Sequence, residues 1–246
     1  MIATTIEQKI AQFKQNIFTK LHHRTLLEYT GQPVVSDDEI MYLLLPFLNG
    51  EKLDDSTRLA AEAIAMNMAA LNTHDLIEEY DATSKSQQLT VLAGDLYSGI
   101  YYATLAQVGD VLLIRSITEA VATISEEKAK FYEASHTQLQ TALQALEVIE
   151  TQAIQKFFGH FALDSYSVFA RYGLVIQRLA KELALCSSHE ATRFMRAFDE
   201  EKTAELLRNE LQTLATTYEK MVSTSSLLHD DVKAWIVSRI HTHVHD

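Results

Sequence analysis

Residues 66–107, MNMAALNTHDLIEEYDATSKSQQLTVLAGDLYSGIYYATLAQ, contain the two features that decide the fold of this chain. The first half ends in an acidic cluster made up of His74, Asp75, Glu78, Glu79 and Asp81. The second half, residues 91–106, is apolar on nearly every side and carries one charge, Asp95. A helix at a protein surface normally has one apolar and one polar face. The second half therefore predicts a helix that is covered on every side, by its own fold or by a second subunit.

The composition limits the functions that the chain can have. Its 246 residues include 21 Lys and Arg against 33 Asp and Glu, which gives a net charge of −12. Because phosphate binding requires a basic surface, this charge argues against nucleic acid as a partner. Cys186 is the only cysteine, so neither an internal disulfide nor a cysteine zinc site can form. The first residues do not have the pattern of a signal peptide, and we expect a cytoplasmic protein.

Few helix-breaking residues interrupt the chain, and its two prolines are Pro33 and Pro46. Apolar residues recur with a 3.6-residue period over most of its length, which predicts an all-α fold. We expect one domain over residues 1–246, an antiparallel bundle of eight or nine helices. The first helix is predicted over residues 4–28, and a later one continues through the acidic cluster to about residue 81. Residues 91–108 do not qualify as a transmembrane helix, because Asp95 and several Gly and Ser positions interrupt them.

Asp75 and Glu79 are four residues apart, so in a helix their carboxylates would share one face. Carboxylates at this spacing can bind Mg²⁺, which prefers hard oxygen ligands. Acidic pairs at the same spacing are also common on solvated helix surfaces. The spacing alone favours the solvated surface over a metal site.

The flanking sequence resembles the trans-prenyl diphosphate synthases. In that family one helix ends in the motif HDDxxD, and the next helix opens with a Gly-Asp pair. His74 and Asp75 match the first two motif positions, whereas Leu76 replaces the second aspartate and Glu79 replaces the third. Gly94 and Asp95 match the Gly-Asp pair. The resemblance implies an isoprenoid-synthase type of helical bundle with a degenerate aspartate-rich motif.

Other catalytic parts of that family are missing. The basic segment that binds isopentenyl diphosphate is replaced by TGQPVVSDD, and the loop after the first motif has only Lys85 in place of paired arginines. The second family motif, FQxxDDxxD, aligns with Ile176 and Gln177 but has Ala180 and Lys181 at its two adjacent aspartates. These departures imply a chain without catalytic residues and without a bound metal of its own.

A retained fold with lost catalytic residues resembles the small, non-catalytic subunits of bacterial heptaprenyl diphosphate synthases, whose DxYSxxYYxxLA-like helix is matched by DLYSGIYYATLA. The resemblance implies a catalytic large subunit carrying both DDxxD motifs and Mg²⁺. The complex would extend farnesyl diphosphate with isopentenyl diphosphate for the menaquinone side chain, and would associate loosely with membranes through its lipid product. Two alternatives are an active prenyl synthase or terpene cyclase with unusual metal ligands, and a homodimeric helical scaffold without a prenyl role.

The helix that begins with the Gly-Asp pair lies at the dimer interface in the prenyl synthases. The resemblance therefore implies a subunit interface or tunnel wall made up of Gly94, Asp95, Leu96, Tyr97, Ser98, Gly99, Ile100, Tyr101 and Leu105. A glycine inside a helix costs about 0.5–1 kcal/mol relative to alanine, so the two glycines need a packing reason. A central core helix of a monomer is the alternative. If the helix is buried, Asp95 needs a hydrogen-bond partner.

Overall fold

The structure is a computed structural model that describes residues 2–77, 83–132, 138–187, 194 and 200–245. Within these ranges it contains ten α-helices, one 3₁₀ turn at Asp164–Tyr166 and no strand. The helices are α1 (Ile2–Lys20), α2 (Arg24–Thr30), α3 (Asp37–Leu48), α4 (Asp55–His74), α5 (Lys85–Val108), α6 (Val111–Tyr132), α7 (Leu139–His160), α8 (Ser167–Ser187), α9 (Glu200–Thr224) and α10 (Asp230–His245). The predicted all-α class is confirmed.

Two predicted helix boundaries are wrong. The first predicted helix is two helices, because the chain is extended at His23, whose Nδ1 accepts a hydrogen bond from the Leu26 N–H at 3.3 Å and caps α2. The predicted helix through the acidic cluster ends at His74, where the next backbone N–H groups bond in a tighter turn, from Leu76 to Thr73 and from Ile77 to His74. Glu78, Glu79 and Asp81 lie outside the described residues.

Residues 3–115 form one compact unit, and α4 is its central helix. Nearly every residue of α4 from Ala60 to Ala70 is buried, and most of these residues are small. The predicted apolar face of α1 is also buried, with Ile6, Ile10, Phe13, Ile17 and Leu21. Glu62 of α4 is buried with Lys20 Nζ at 2.5 Å and Arg58 Nη1 at 3.3 Å, so two cations compensate its charge.

Residues 116–246 form a second compact unit in which α8 packs against α7, α9 and α10. The last helix, α10, buries Val232, Trp235, Ile236 and Ile240. No helix in the described parts of the chain is both long enough and apolar enough to cross a membrane. The assignment of one domain to residues 1–246 stays a prediction.

Candidate functional site

The predicted apolar helix is α5, and its ends are set by local hydrogen bonds. The Ser84 side chain accepts a bond from the Gln87 N–H at 3.2 Å and caps the first turn. At the other end Gly109 has φ +75°, and its N–H bonds to the Leu105 carbonyl at 3.3 Å. This left-handed conformation favours glycine, and it ends α5.

One side of α5 packs tightly on α4. The His74 ring lies against Gly94, and the Asn67 side chain is hydrogen-bonded to the Tyr101 hydroxyl. Moving back along α4 therefore corresponds to moving forward along α5, so the two helices are antiparallel. The buried side of α5 consists of Thr90, Ala93, Gly94, Tyr97, Tyr101, Thr104 and Leu105.

The opposite side of α5 is exposed among the described residues, so of the two predicted kinds of cover, its own fold or a second subunit, its own fold covers one side. The uncovered residues recur at helical spacing and are here called the α5 face: Val91, Leu92, Asp95, Gly99, Tyr102, Ala103 and Ala106. Leu92 is 55% exposed and Tyr102 is 40% exposed, which is high for large apolar side chains. The helix that its own chain covers nearly all round is α4, where small side chains let neighbouring helices approach closely.

The predicted interface residues divide between the two sides of α5. Gly94, Tyr97, Tyr101 and Leu105 are buried inside the chain, whereas Asp95 and Gly99 lie on the α5 face. The other three, Leu96, Ser98 and Ile100, are half-buried along the edges. The prediction omitted five members of the α5 face: Val91, Leu92, Tyr102, Ala103 and Ala106. Their positions relative to Gly99 follow the 3.6-residue period, and that period was the signal in the sequence.

The two buried tyrosines belong to the core of the first unit. Burial raises the pKa of both the Tyr97 and the Tyr101 hydroxyl, and a hydrogen bond to Tyr102 adds to the effect at Tyr101. Both hydroxyls therefore stay protonated near neutral pH. The rings of Tyr101 and Tyr102 are stacked with centroids 4.2 Å apart, so Tyr102 connects this core to the α5 face. The Asn67 Oδ1 atom beside them is buried, and no hydrogen-bond partner for it lies among the described residues.

Asp95 is the charged member of the α5 face, and its side chain is 65% exposed. The Nε2 atom of His74 lies 3.7 Å from the carboxylate Oδ1 of Asp95. That distance is too long for a hydrogen bond. Asp95 therefore needs no buried partner in this chain alone.

The two helical glycines of α5 have different surroundings. A Cβ atom built on Gly94 would lie 2.5–2.8 Å from three atoms of the His74 ring, whereas a Cβ on Gly99 would have no atom within 4 Å. Gly94 is thus explained by the close approach of α4. No contact among the described residues explains Gly99.

We expect Gly99→Ala and Gly94→Ala to change the stability of the isolated chain in opposite directions. Gly99→Ala should raise the free energy of unfolding by about 0.5–1 kcal/mol, because alanine is the better helix former. Gly94→Ala should lower it by roughly 1–3 kcal/mol, because the His74 ring must move. Urea unfolding followed by circular dichroism measures both values. Adding His74→Ala to Gly94→Ala should remove the steric penalty, and equal stabilities of the two single variants would contradict this account.

The described part of the first acidic motif leaves the helix at Asp75. Asp75 is the C-terminal cap of α4 with φ −68° and ψ −16°, and Leu76 follows it in a turn with 45% of its surface exposed. Glu79 lies outside the described residues, so its position relative to Asp75 stays a prediction. Among the described residues, no group of three or more His, Cys, Asp or Glu side chains is placed to hold a metal ion.

The residues aligned with the second family motif lie on α8. The acidic residue in the same helical turn is Glu182, which points into the protein. Glu182 is buried, and its Oε1 lies 2.7 Å from Arg178 Nη2. Arg178 also bonds Glu150 of α7 at 2.9 Å, which joins the two helices. Ala180 is half-buried and Lys181 is exposed. The carboxylate of this turn is thus neutralised by arginine and serves packing.

Lys85, the basic residue that follows the first motif, also contacts other residues of the chain. Lys85 Nζ bonds the Tyr29 hydroxyl at 2.7 Å and lies 4.3 Å from the centre of that ring. Ser86 Oγ bonds the Tyr29 carbonyl at 3.2 Å, so both residues attach α2 to the start of α5. Lys85 is thus held by Tyr29 at the position after the first motif where the resembled family has paired arginines.

Solved structures with a similar fold are prenyl synthases. The heptaprenyl diphosphate synthase from Staphylococcus aureus matches with a TM-score of 0.71 and 11% identity over 98% of each chain. The geranylgeranyl pyrophosphate synthase from Lactobacillus brevis gives 0.71 and 9% over 99% of this chain and 97% of its own. The decaprenyl diphosphate synthase from Rhodobacter capsulatus gives 0.70 and 12% over 100% and 99%. At these identities the matches establish the isoprenoid-synthase fold alone.

The sequence comparisons are more specific. A curated relative, heptaprenyl diphosphate synthase component 1 from Geobacillus stearothermophilus, is 38% identical over 120 residues. That alignment covers 49% of this chain and 54% of the relative, so the chain spans about half the length of the relative it matches. The model of the family described as heptaprenyl diphosphate synthase (HEPPP synthase) subunit 1 matches residues 23–226. The resemblance seen in residues 66–107 is thereby confirmed, and the chain belongs to the heptaprenyl diphosphate synthase subunit 1 family.

Proposed function

We propose that this chain is an accessory subunit of a heterodimeric heptaprenyl diphosphate synthase and that the α5 face binds the catalytic subunit. The α5 face is the observation that carries the proposal, because a stripe with Leu92, Tyr102 and Ala106 is left open to solvent by its own chain. Gly99 lies at its centre with free space around it. A helix of a second chain can therefore approach the α5 backbone closely at this point.

The partner, in this proposal, is a large chain with both DDxxD motifs. It binds Mg²⁺ and uses farnesyl and isopentenyl diphosphates to make the menaquinone side chain. The described residues at the two motifs do not fit a diphosphate-bridging Mg²⁺ cluster. Asp75 ends a helix, Glu182 is paired with Arg178, and Lys181 would repel a cation. We therefore assign the metal and the chemical steps to the partner.

The accessory role extends to product length. A growing prenyl chain requires an apolar wall, and its length is set where that wall stops it. The edge residues Leu96 and Ile100 are half-buried beside the α5 face. Bound to the partner, they would border its elongation tunnel. The complex would act in the cytoplasm and associate loosely with membranes through its lipid product.

Asp75→Ala should leave the activity of the assembled complex within roughly tenfold of the wild type. Loss of a metal ligand would remove far more transition-state stabilisation than this. The measurement is the initial rate of isopentenyl diphosphate incorporation by complexes purified to equal stoichiometry. A fall of several orders of magnitude with intact assembly would show that the residual motif takes part in catalysis.

The proposal is tested by co-expressing this chain with a catalytic chain of the same source. The two should co-purify at a fixed ratio, and mass analysis of the product should show a single long prenyl diphosphate. A stable homodimer that does not bind the catalytic chain would instead favour the homodimeric helical scaffold. Prenyl transfer or cyclisation by this chain alone would favour an active enzyme with unusual metal ligands.

A further inference from the structure

The charge of the α5 face limits which protein can cover it. Residues 91–107 contain one ionisable acid or base apart from tyrosine, and it is Asp95. The nearest basic side chain along α5 is Lys85, which is held by Tyr29. The α5 face therefore presents one carboxylate within an apolar surface and supplies no cation of its own.

We infer that the protein covering the α5 face places a lysine or arginine side chain against Asp95, and that this carboxylate disfavours a second copy of the same chain. The inference rests on the proposed function, because it specifies the chemistry of the partner at the same surface. The charge of Asp95 would thus favour a heterodimer over a homodimer.

A symmetric pair of α5 faces would bury two carboxylates without a cation. In a symmetric antiparallel crossing of two copies at Gly99 each Asp95 would meet Ala103, and in a parallel crossing the two Asp95 side chains would meet each other. An unpaired carboxylate that is removed from water loses hydration that no apolar contact replaces. The His74 imidazole at 3.7 Å carries a positive charge only when it is protonated. Because this imidazole belongs to the same chain as Asp95, it is present equally in a homodimer and in a heterodimer.

A partner with a cation at this position removes the penalty. Its ammonium or guanidinium group would pair with Asp95 while the apolar residues around Gly99 exclude water. Such a charged contact in a desolvated surface contributes mainly specificity, because wrong partners lack the matching charge. The partner surface is thus apolar, has a small residue opposite Gly99, and has one basic side chain about one helical turn away.

The test compares Asp95→Asn with the charge-preserving Asp95→Glu and with Asp55→Asn as a control. Asp55 is 99% exposed at the start of α4 and lies outside the α5 face. Affinity for the catalytic chain of the same source is measured by calorimetry near pH 8 at low and high salt. Self-association is measured by sedimentation equilibrium without the catalytic chain.

Asp95→Asn should weaken binding to the catalytic chain by about 30-fold or more, because it leaves the partner's cation unpaired. It should also reduce the salt dependence of binding and strengthen self-association at least about tenfold. Asp95→Glu should retain most of the affinity, and Asp55→Asn should match the wild type.

Two results would overturn the inference while the proposed function stands. They are a tight wild-type complex that Asp95→Asn leaves unchanged, and equal self-association of the wild type and Asp95→Asn. A wild-type chain that self-associates through the α5 face and does not bind the catalytic chain would overturn the proposed function and the inference together.

Discussion

The isolated chain is expected to form no prenyl product from farnesyl and isopentenyl diphosphates with Mg²⁺, whereas the mixture with its catalytic chain produces one. Transfer of a prenyl group requires metal ions that hold the diphosphate leaving group between two acidic walls. At the first wall this chain has Leu76 after Asp75, and at the second it has Ala180 and Lys181. Each missing carboxylate removes several kcal/mol of charge stabilisation, so the chain alone should be slower than the complex by at least about 10³-fold.

The measurement is the incorporation of labelled isopentenyl diphosphate by this chain, by the catalytic chain, and by their mixture at equal concentrations. The matched control replaces this chain with its Gly99→Leu variant, which has the same residues at both degenerate motifs. The activity of the mixture should depend on Gly99, whereas this chain alone stays at background. Steady turnover by the pure chain would contradict the assignment of the chemistry to the partner.

The helical class and several helix ends could be predicted because they depend on local chemistry. Ser36 caps α3 and forms a reciprocal capping box with Glu39, and Gly109 ends α5 in a left-handed turn. The apolar face of α1 follows from the helical period alone, since its apolar residues recur every three or four positions, at Ile6, Ile10, Phe13, Ile17 and Leu21. The interruption at His23 could not be predicted in this way, because the apolar pattern continues across it.

Which side of α5 is covered could be identified only from the position of the neighbouring helix α4. In sequence, Tyr97, Tyr101 and Tyr102 are equivalent aromatic residues in an apolar stretch. In the fold, α4 covers the first two and leaves Tyr102 partly exposed. The contrast between Gly94 and Gly99 is also tertiary, because only the position of the His74 ring distinguishes them. Composition thus predicted an unusual helix, whereas the three-dimensional contacts identify which of its sides remains available.

Tyr101 illustrates the consequence for choosing variants. Its side chain is 2% exposed and packs among α4 and α5 residues, so Tyr101→Ala would create a core cavity costing about 3–5 kcal/mol. Its effect on product length would then be mixed with unfolding. Ile100 is half-buried at the edge of the α5 face, and Ile100→Ala is the cleaner change for measuring product length.

Gly99→Leu is expected to weaken association with the catalytic chain by about 100-fold while leaving the isolated chain folded. A Cβ at this position meets no atom within 4 Å of its own chain, so the added side chain extends into solvent. At a close helix crossing the same side chain would push the two backbones apart. Overpacking costs about 1–3 kcal/mol even where side chains can adjust, and a contact between backbones adjusts less.

The isolated Gly99→Leu chain should unfold in urea no earlier than the wild type, since leucine is a better helix former than glycine. Gly99→Ala serves as the graded variant, because it adds one methyl group and should weaken association by less than leucine does. Size-exclusion chromatography and calorimetry with the catalytic chain measure the series. If Gly99→Leu binds the catalytic chain as well as the wild type does, the contact lies elsewhere and Gly99 has no role in it. If the isolated variant unfolds at a lower urea concentration than the wild type, the space around Gly99 is filled by the chain itself.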